Sequence, residues 1–354
     1  MRENEMIYRD LALVAPGTQL YEGLESILKA KTGALIVIGD TPEVLQLVSG
    51  GFRIDSEMHP AALYELAKMD GAIVLSTDTK RILYANAQLI PDPMIPSSET
   101  GTRHKTAERV AKQTGQLVIS ISQRRNVITI YKGNAKYILR DVSVILAKAN
   151  QALSTLEKYR SVFRQSLVNL SALEFEDLVT LTDVATVLQR SQMVTRIASE
   201  IESYVLQLGS EGRLVKMQLE ELMSDIKDEG LMVFKDYYAG EVEELEETWT
   251  QIVEWDSDDL LNPNMICKAL GHGAGMTSLE QPVTPRGYRI LAKIPRLPMP
   301  VVENLVKEFQ DLPTIVDATI EELDDVEGIG EVRARAIQDG LRRIREQVLV
   351  DSHI

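Results

Sequence analysis

From about Asp141 to Asp236 the chain carries long helical periodicity with little proline or glycine, and this stretch constrains the fold more than any other. Apolar residues recur at Val144, Leu146, Leu153, Leu156, Val162, Leu167 and Leu170, a pattern that places a stripe along a helix. One or more long helices acting as a spine follow from that pattern, and the stripe reads as packing surface. A spine of this kind divides the sequence into a region before it, 1–140, the spine with its linker, 141–285, and a C-terminal region, 286–354. The length of 354 residues agrees, since it is too long for one ordinary core.

Residues 1–140 read as α/β. Helical patterns at Glu5–Ala15 and Gln19–Ala30 precede a buried-type strand, Ala34–Ile38. A helix over His59–Met69 leads into strands Ala72–Leu75 and Arg81–Ala85. A helix over Thr102–Thr114, stopped by Gly115, precedes strands Leu117–Ser122, Val127–Tyr131 and Tyr137–Leu139, joined by short polar turns. Helices alternate with strands early and hairpins dominate late, so a mixed sheet flanked by helices is expected.

Two local conflicts stand out in that region. Gly101-Thr102-Arg103-His104-Lys105-Thr106-Ala107-Glu108-Arg109 puts two hydroxyls and three nitrogen-rich side chains into the first turn of a helix, with Thr102 as the expected N-cap. Cations conflict with the positive end of the helix dipole by about 0.3–1 kcal/mol each. An anion on the same turn removes the conflict and collects free amides, hydroxyls, an imidazole and two charges together. The turn thus reads as a polyphosphate seat. It also reads as a solvated amphipathic helix with Lys105–Glu108 and Glu108–Lys112 pairs. The second conflict is Asp70, a carboxylate at the expected end of the His59–Met69 helix, where the dipole is negative. Asp70-Gly71 is also an ordinary turn dipeptide. Taken together the two conflicts are complementary: one site for phosphates, the other for a metal ion or a proton.

The C-terminal region repeats. Leu323-x-x-Val326-x-Gly328-Ile329-Gly330-x-x-x-Ala334-x-x-Ile337 matches a helix-hairpin-helix pattern. Its glycines allow a tight turn whose amides can bind a DNA phosphate with little side-chain charge. Thirty-two residues earlier the apolar positions recur at Leu291, Ile294, Leu297, Val302 and Leu305, with Arg296-Leu297-Pro298 as the hairpin. The expected phosphate contacts are Gly328 and Gly330 together with Lys293, Arg296, Arg333, Arg335, Arg342 and Arg343. A purely structural hairpin, or one used for protein contact, is the other reading. Between Arg289 and Glu346 there are nine basic and twelve acidic residues, so DNA binding here would be backbone-directed, sequence-independent and salt-sensitive.

Composition narrows the class. The net charge of −15 argues against a protein that coats nucleic acid by bulk charge. Nine acidic residues and no basic ones lie between Glu241 and Leu260, which reads as a solvated helix face. The single cysteine, Cys267, excludes internal disulfides and cysteine zinc clusters and suits a reducing cytoplasm. No secretory signal or membrane span is expected from the apolar runs. Gly271-His272-Gly273-Ala274-Gly275 resembles a nucleotide loop only superficially and reads as an interdomain loop.

Asp70-Gly71-Ala72, followed about thirty residues later by Gly101–Arg109, resembles the two signature motifs of the diadenylate cyclase domain. The resemblance extends through Gln116–Tyr131, Pro285–Arg289 and the C-terminal repeat, so the whole chain resembles DisA-type DNA integrity scanning proteins. It implies condensation of two ATP molecules into cyclic di-3′,5′-AMP with release of two pyrophosphates. It further implies a divalent cation, Mg²⁺ or Mn²⁺, held by Asp70, which is also the candidate for activating the hydroxyl. Thr102, Arg103, His104, Lys105 and Thr106 would hold phosphates, with Asp70, Arg103, His104 and Lys105 as the catalytic set. Gly71 and Ala72 would lie against the nucleotide, Leu89 would enclose adenine, and Ser122 is a further phosphate candidate. A face-to-face homodimer, an octamer built from such dimers, and branched DNA lowering synthesis are also implied. Lys105 departs from the family's usual Arg: it keeps the charge and lacks the planar fork. A non-enzymatic DNA-binding scaffold with a nucleotide-sensing site is the competing reading.

Overall fold

A computed structural model describes residues 10–273 and 279–351. The chain forms two compact units, Met1–Gln151 with Ile201–Met217, and Ala152–Glu200 with Gln218–Ile354.

The first unit is built on strands β1 (Ala34–Ile38), β2 (Val48–Ser49), β3 (Phe52–Glu57), β4 (Ala72–Leu75), β5 (Arg81–Leu89), β6 (Leu117–Ser122), β7 (Val127–Lys132) and β8 (Ala135–Ile138). They form one sheet in the order β2-β5-β4-β1-β6-β7-β8, with β3 also paired to β5. β1 and β4 are parallel, and the remaining pairings are antiparallel. Helices α1 (Gln19–Lys29), α2 (Pro42–Leu45), α3 (Pro60–Leu66) and α4 (Thr102–Thr114) complete it. α1 starts where the Thr18 hydroxyl accepts the Tyr21 amide, and it buries Leu20, Leu24 and Ile27. Each of those side chains contributes about 1.5–3 kcal/mol relative to exposure.

Both faces of the sheet are covered. Ile36, Ile38, Ile73, Leu75, Ile119 and Ile121 share one core with α1 and with Leu63 of α3. Leu35, Val37, Val74 and Val118 share the other with Ala107, Val110 and Ala111 of α4. This two-sided burial explains the unbroken apolar runs of β1 and β4. α4 ends at Gly115, which takes the left-handed conformation at φ 65° and returns its amide to Ala111.

Some expectations change. β3 was not expected: it is an exposed edge strand with a register shift beside Asp55 at φ 51°, so its apolar signal is weak. β5 runs four residues past Ala85, accommodating Asn86 at φ 50°. Residues 5–9 of the expected first helix lie outside the described residues, and its described end is a 3-10 turn over Ala12–Val14.

The long helices are α5 (Val142–Glu176) and α6 (Leu181–Leu208), the spine read from the sequence. The buried stripe of α5 is Ile145, Ala149, Leu153, Leu156, Phe163, Leu167 and Leu170. Val144 and Val162 are exposed, because a true three-and-four spacing passes through their neighbours Ile145 and Phe163. Next come α7 (Arg213–Met223), α8 (Glu229–Tyr237), α9 (Leu245–Glu254), α10 (Ser257–Leu260) and α11 (Pro263–Ala269). The acidic stretch forms α9 and α10, which bury Leu245, Ile252 and Leu260 and turn most of their carboxylates outward. Ala274 and Gly275 of the glycine-rich loop lie outside the described residues.

The C-terminal helices are α12 (Tyr288–Ala292), α13 (Met299–Phe309), α14 (Leu312–Asp317), α15 (Ile320–Asp324) and α16 (Glu331–Asp351), packed around one apolar core. The 32-residue repeat holds at the backbone. The Leu297 amide bonds Ile294 as the Ile329 amide bonds Val326, and Pro298 accepts from Val301 and Val302 as Gly330 accepts from Arg333 and Ala334. Arg296 (φ 64°) occupies the left-handed position that Gly328 (φ 85°) fills in the second copy.

α12 is anchored by charge. The Asp236 carboxylate accepts the amides of Gly287, Tyr288 and Arg289. Arg289, 1% exposed, donates to Glu174 and, at 3.0 Å, to the Ser171 hydroxyl. The Tyr237 hydroxyl donates to Glu174 at 2.8 Å. Burial and the neighbouring Glu174 carboxylate push Asp236 up to about 7, against the pull of Arg289 and the amides.

Candidate active site

Sheet register gathers most of the expected residues at one end. β1 and β4 pair with Leu35 opposite Ala72, so Gly33 and Gly71 lie side by side just before the two strands, with Asp70 next to Gly71. Ile121 of β6 pairs with Ala34, which brings Ser122 beside Gly33, and Ala72 pairs with Ala87 of β5, which brings Leu89 to the same end. The Arg103 guanidinium rests on Gly33 and fills the space a side chain there would need. Gly33 escaped the sequence reading, although a glycine directly before a buried strand was a usable signal. This is the N-terminal end of the parallel pair, whereas open α/β sheets ordinarily bind ligands at the carboxyl ends.

The N-cap of α4 is Gly101, not Thr102. Gly101 is extended (φ −86°, ψ 139°) and its carbonyl accepts the first helical bond, from Lys105, at 2.8 Å. The cause is steric and electronic. Gly101 brings no side-chain acceptor, so the amides of Thr102, Arg103 and His104 donate to no other described residue. A Ser or Asp cap would consume one of them. Thr102 and Lys105 are exposed, and Arg103, His104 and Thr106 are half-buried.

The polar face of α4 is not simply solvated. It straps down the proline-rich segment 91–101. Arg109 donates to the carbonyls of Ile95 and Pro93, Lys112 to that of Pro96, and Gln113 accepts the Asp92 amide. Glu108 accepts from the Ser97 hydroxyl at 2.5 Å, the Ser98 amide and Lys112 at 2.8 Å. Burial pushes Glu108 up, but the Lys112 and Ser97 bonds outweigh it and hold the carboxylate low. The expected Glu108–Lys112 pair exists. Lys105 is not the partner of Glu108, whose oxygens are turned toward the strap.

The strap delivers Glu99 to the site. Its carboxylate meets Lys136 of β8 and accepts the Tyr131 hydroxyl at 2.9 Å, and the same hydroxyl lies 3.1 Å from His104 Nδ1. His104 Nε2 is buried and has no partner among the described residues. Burial lowers the imidazole's affinity for a proton; Glu99 opposes this, and Arg125, Lys136 and Arg103 add to it. Burial also pushes Glu99 up, yet the Lys136 and Tyr131 bonds outweigh it and keep the carboxylate below its usual range. Burial and Glu99 together push the Tyr131 phenol far above its ordinary value. Glu99 and Lys136 were not found from the sequence, because nothing in a loop glutamate announces a partner 37 positions away.

Asp70 is exposed and bonds to no described residue. It lies beyond the last turn of α3, which closes at Leu66, so the expected conflict with the helix dipole does not arise. Gly71 is required by the sheet. It sits at φ 104°, and a Cβ there would meet the backbone of Asn86 and Ala87 at 2.8–3.0 Å. Ala72 and Leu89 are 1% and 7% exposed and belong to the core beneath α4. Ala72 can therefore offer a ligand only its backbone. Ser122 is half-buried and its hydroxyl accepts the Arg125 amide at 3.2 Å.

In the C-terminal hairpins the six expected cations differ. Lys293 lies 3.7 Å from Glu229, Arg335 pairs with Glu331 at 2.5 Å and Arg342 with Asp339 at 3.0 Å. Arg333 donates to the Gly328 carbonyl and so braces the second hairpin. Arg296 and Arg343 are exposed and pair with no described residue. The amides of Gly330, Glu331 and Val332 at the start of α16 donate to no other described residue.

Among the described residues no group of three or more His, Cys, Asp or Glu side chains could hold a metal ion, and no helix is long and apolar enough to cross a membrane. Three family models match. The nucleotide-binding region of the DisA bacterial checkpoint controller matches residues 21–136, its linker region residues 139–279, and the helix-hairpin-helix motif residues 311–337. Similar full-length proteins include the DNA integrity scanning protein DisA of Carboxydothermus hydrogenoformans, 61% identical over 346 residues, covering 98% of each chain. The DisA of Symbiobacterium thermophilum is 57% identical over 355 residues, covering 100% of each chain.

Proposed function

This chain belongs to the DisA family of DNA integrity scanning proteins and is a diadenylate cyclase, and on that premise we propose the reaction it performs: two ATP molecules condensed into cyclic di-3′,5′-AMP with release of two pyrophosphates. The observation that carries this reading is the convergence at one sheet end of an exposed carboxylate, Asp70, the Arg103 guanidinium and three free amides of α4. Each condensation needs a 3′-hydroxyl in line with an α-phosphorus and a grip on the departing pyrophosphate. The amides of Thr102, Arg103 and His104 and the side chains of Thr102, Arg103, Lys105 and Thr106 supply that grip, since they donate hydrogen bonds and positive charge where negative charge builds up. Ser122 adds a hydroxyl at the same end, and Leu89 supports the floor on which adenine rests.

A single exposed carboxylate suits Mg²⁺ or Mn²⁺, which would take the rest of its oxygen shell from phosphates and water rather than from a protein cage. Bound by Asp70, such an ion supplies Lewis-acid stabilisation of the phosphate charge. Asp70 itself would accept the hydroxyl proton.

The product joins two identical halves, so two sites must face each other. A face-to-face homodimer with isologous symmetry is the simplest arrangement, and an octamer extends it. In the C-terminal unit the free amides of the second hairpin and Arg296 of the first would hold DNA phosphates without sequence preference, in the cytoplasm, with branched DNA lowering synthesis. Such lowering requires DNA to favour an inactive arrangement by differential affinity.

The test is incubation of the full chain with ATP and Mg²⁺ or Mn²⁺, with products resolved by chromatography and mass spectrometry. A cyclic di-AMP peak that declines on adding branched DNA is expected. ATP binding without pyrophosphate release would instead identify a nucleotide-sensing scaffold.

A further inference from the structure

We propose that Glu99 and Tyr131 are positioning residues that lock His104 with its Nδ1 hydrogen donated to the Tyr131 hydroxyl, so that the imidazole takes up one proton at Nε2 when a polyphosphate enters the first turn of α4. The inference rests on the reading of that turn as the nucleotide's phosphate seat.

The lock follows from counting hydrogens. A phenol carries one, and Tyr131 Oη stands 2.9 Å from a Glu99 oxygen and 3.1 Å from His104 Nδ1. Glu99, paired with Lys136 and with its side chain 8% exposed, is held ionised and can only accept. The Tyr131 hydrogen therefore goes to Glu99, and Tyr131 can serve His104 only as an acceptor. Nδ1 must carry a hydrogen, and in the neutral ring Nε2 is then a bare lone pair. That atom is buried and has no partner.

A phosphate oxygen is also an acceptor, so a lone pair at Nε2 repels it while a protonated Nε2 binds it. The charged groups around the ring decide which form exists. Arg103 on α4, Arg125 in the β6–β7 turn and Lys136 on β8 disfavour the imidazolium, and Glu99 on the strap favours it. Burial adds to the three cations, so without a polyphosphate the balance favours the neutral ring. A polyphosphate offsets the three cations, and the balance passes to the imidazolium. The proton comes from solvent and ends on Nε2, donated to the phosphate. Glu99 and Tyr131 stabilise the charged ring through Nδ1, as an orienting carboxylate does for an imidazole elsewhere.

The experiment is titration calorimetry of the full-length protein with a non-hydrolysable ATP analogue and Mg²⁺ at pH 8. It is run in two buffers of different ionisation enthalpy, so that the difference reads protons taken up. An uptake of about 0.5–1 proton per bound nucleotide is expected for the unaltered chain. It should fall by at least about half in Tyr131→Phe and in Glu99→Gln, and return in Glu99→Asp. Glu99 sits on the strap outside helix and strand, so its variants serve if Tyr131→Phe fails to fold. Tight binding without uptake, or equal uptake in folded Tyr131→Phe or Glu99→Gln, would overturn the lock and leave the phosphate seat standing. Absence of nucleotide binding by the unaltered chain would remove the seat and the lock together.

Discussion

Two clusters of ionisable side chains invite comparison: His104, Tyr131, Glu99 and Lys136 in the first unit, and Arg289, Glu174, Asp236, Glu229 and Lys293 in the second. The second is the more perturbed. Arg289, Glu174 and Asp236 are at most 2% exposed, and Asp236 is pushed up to about 7. Yet two of its three unsatisfied atoms face one another: Arg289 Nη1 and Glu229 Oε2 lie 3.8 Å apart, which leaves Arg289 Nε as the one without a facing partner among the described residues. The first cluster is less deeply buried but leaves His104 Nε2 without a partner among the described residues, on a helix turn whose amides donate to none of them either. Perturbed titration alone therefore does not mark chemistry; a perturbed group on a helix turn whose backbone donors are also unpaired is the better marker. The Arg289 cluster is architectural and anchors α12, hence the first hairpin.

The sharpest way to break this contrast is Arg289→Met. Removing one partner of a buried charge set strands the others, and a loss of about 3–5 kcal/mol is expected. Both tryptophans, Trp249 and Trp255, lie in the second unit, so their fluorescence in a urea titration reads that loss directly. A loss below about 1 kcal/mol would mean the cluster contributes little and needs another role.

A smaller effect sharpens the same point. The folded value of Asp236 lies above the ordinary aspartate value near 4, so the folded chain binds that proton more tightly than the unfolded one. The resulting stability is fully present below about pH 4 and is lost as pH rises through about 7. Between pH 5.5 and 8 the unaltered chain should lose stability relative to Asp236→Asn, which keeps Oδ1 as acceptor for the Gly287 and Tyr288 amides. Parallel pH curves for the two proteins would show that Asp236 stays ionised throughout.

How much of this was legible in the sequence follows a physical line. β1, β4 and β6 were legible because burial on both faces leaves unbroken apolar runs. β3 was not, since an exposed edge strand carries Arg53, Asp55, Ser56 and Glu57 like any loop. Thr102–Thr106 stood out because its cations do sit on the first turn of a helix, whereas Asp70-Gly71 stood out only because its helix was expected to run to Met69, and α3 closes at Leu66. The strap, Glu99 and the buried Arg289 were not legible, because their partners lie far away in sequence and depend on the tertiary fold. The Gly101 cap was misread since a threonine beside a glycine outranks it on side-chain preference. The free amides that result are the feature the ligand would use.

The measurement that tests the central claim most directly is turnover of Asp70→Asn beside the unaltered chain, with melting followed on the same samples. Asp70 is exposed and bonds to no described residue, so melting should be unchanged while cyclic dinucleotide formation falls by about 10²-fold or more. Full activity in a folded Asp70→Asn protein would contradict the account and place the reacting end of the molecule elsewhere.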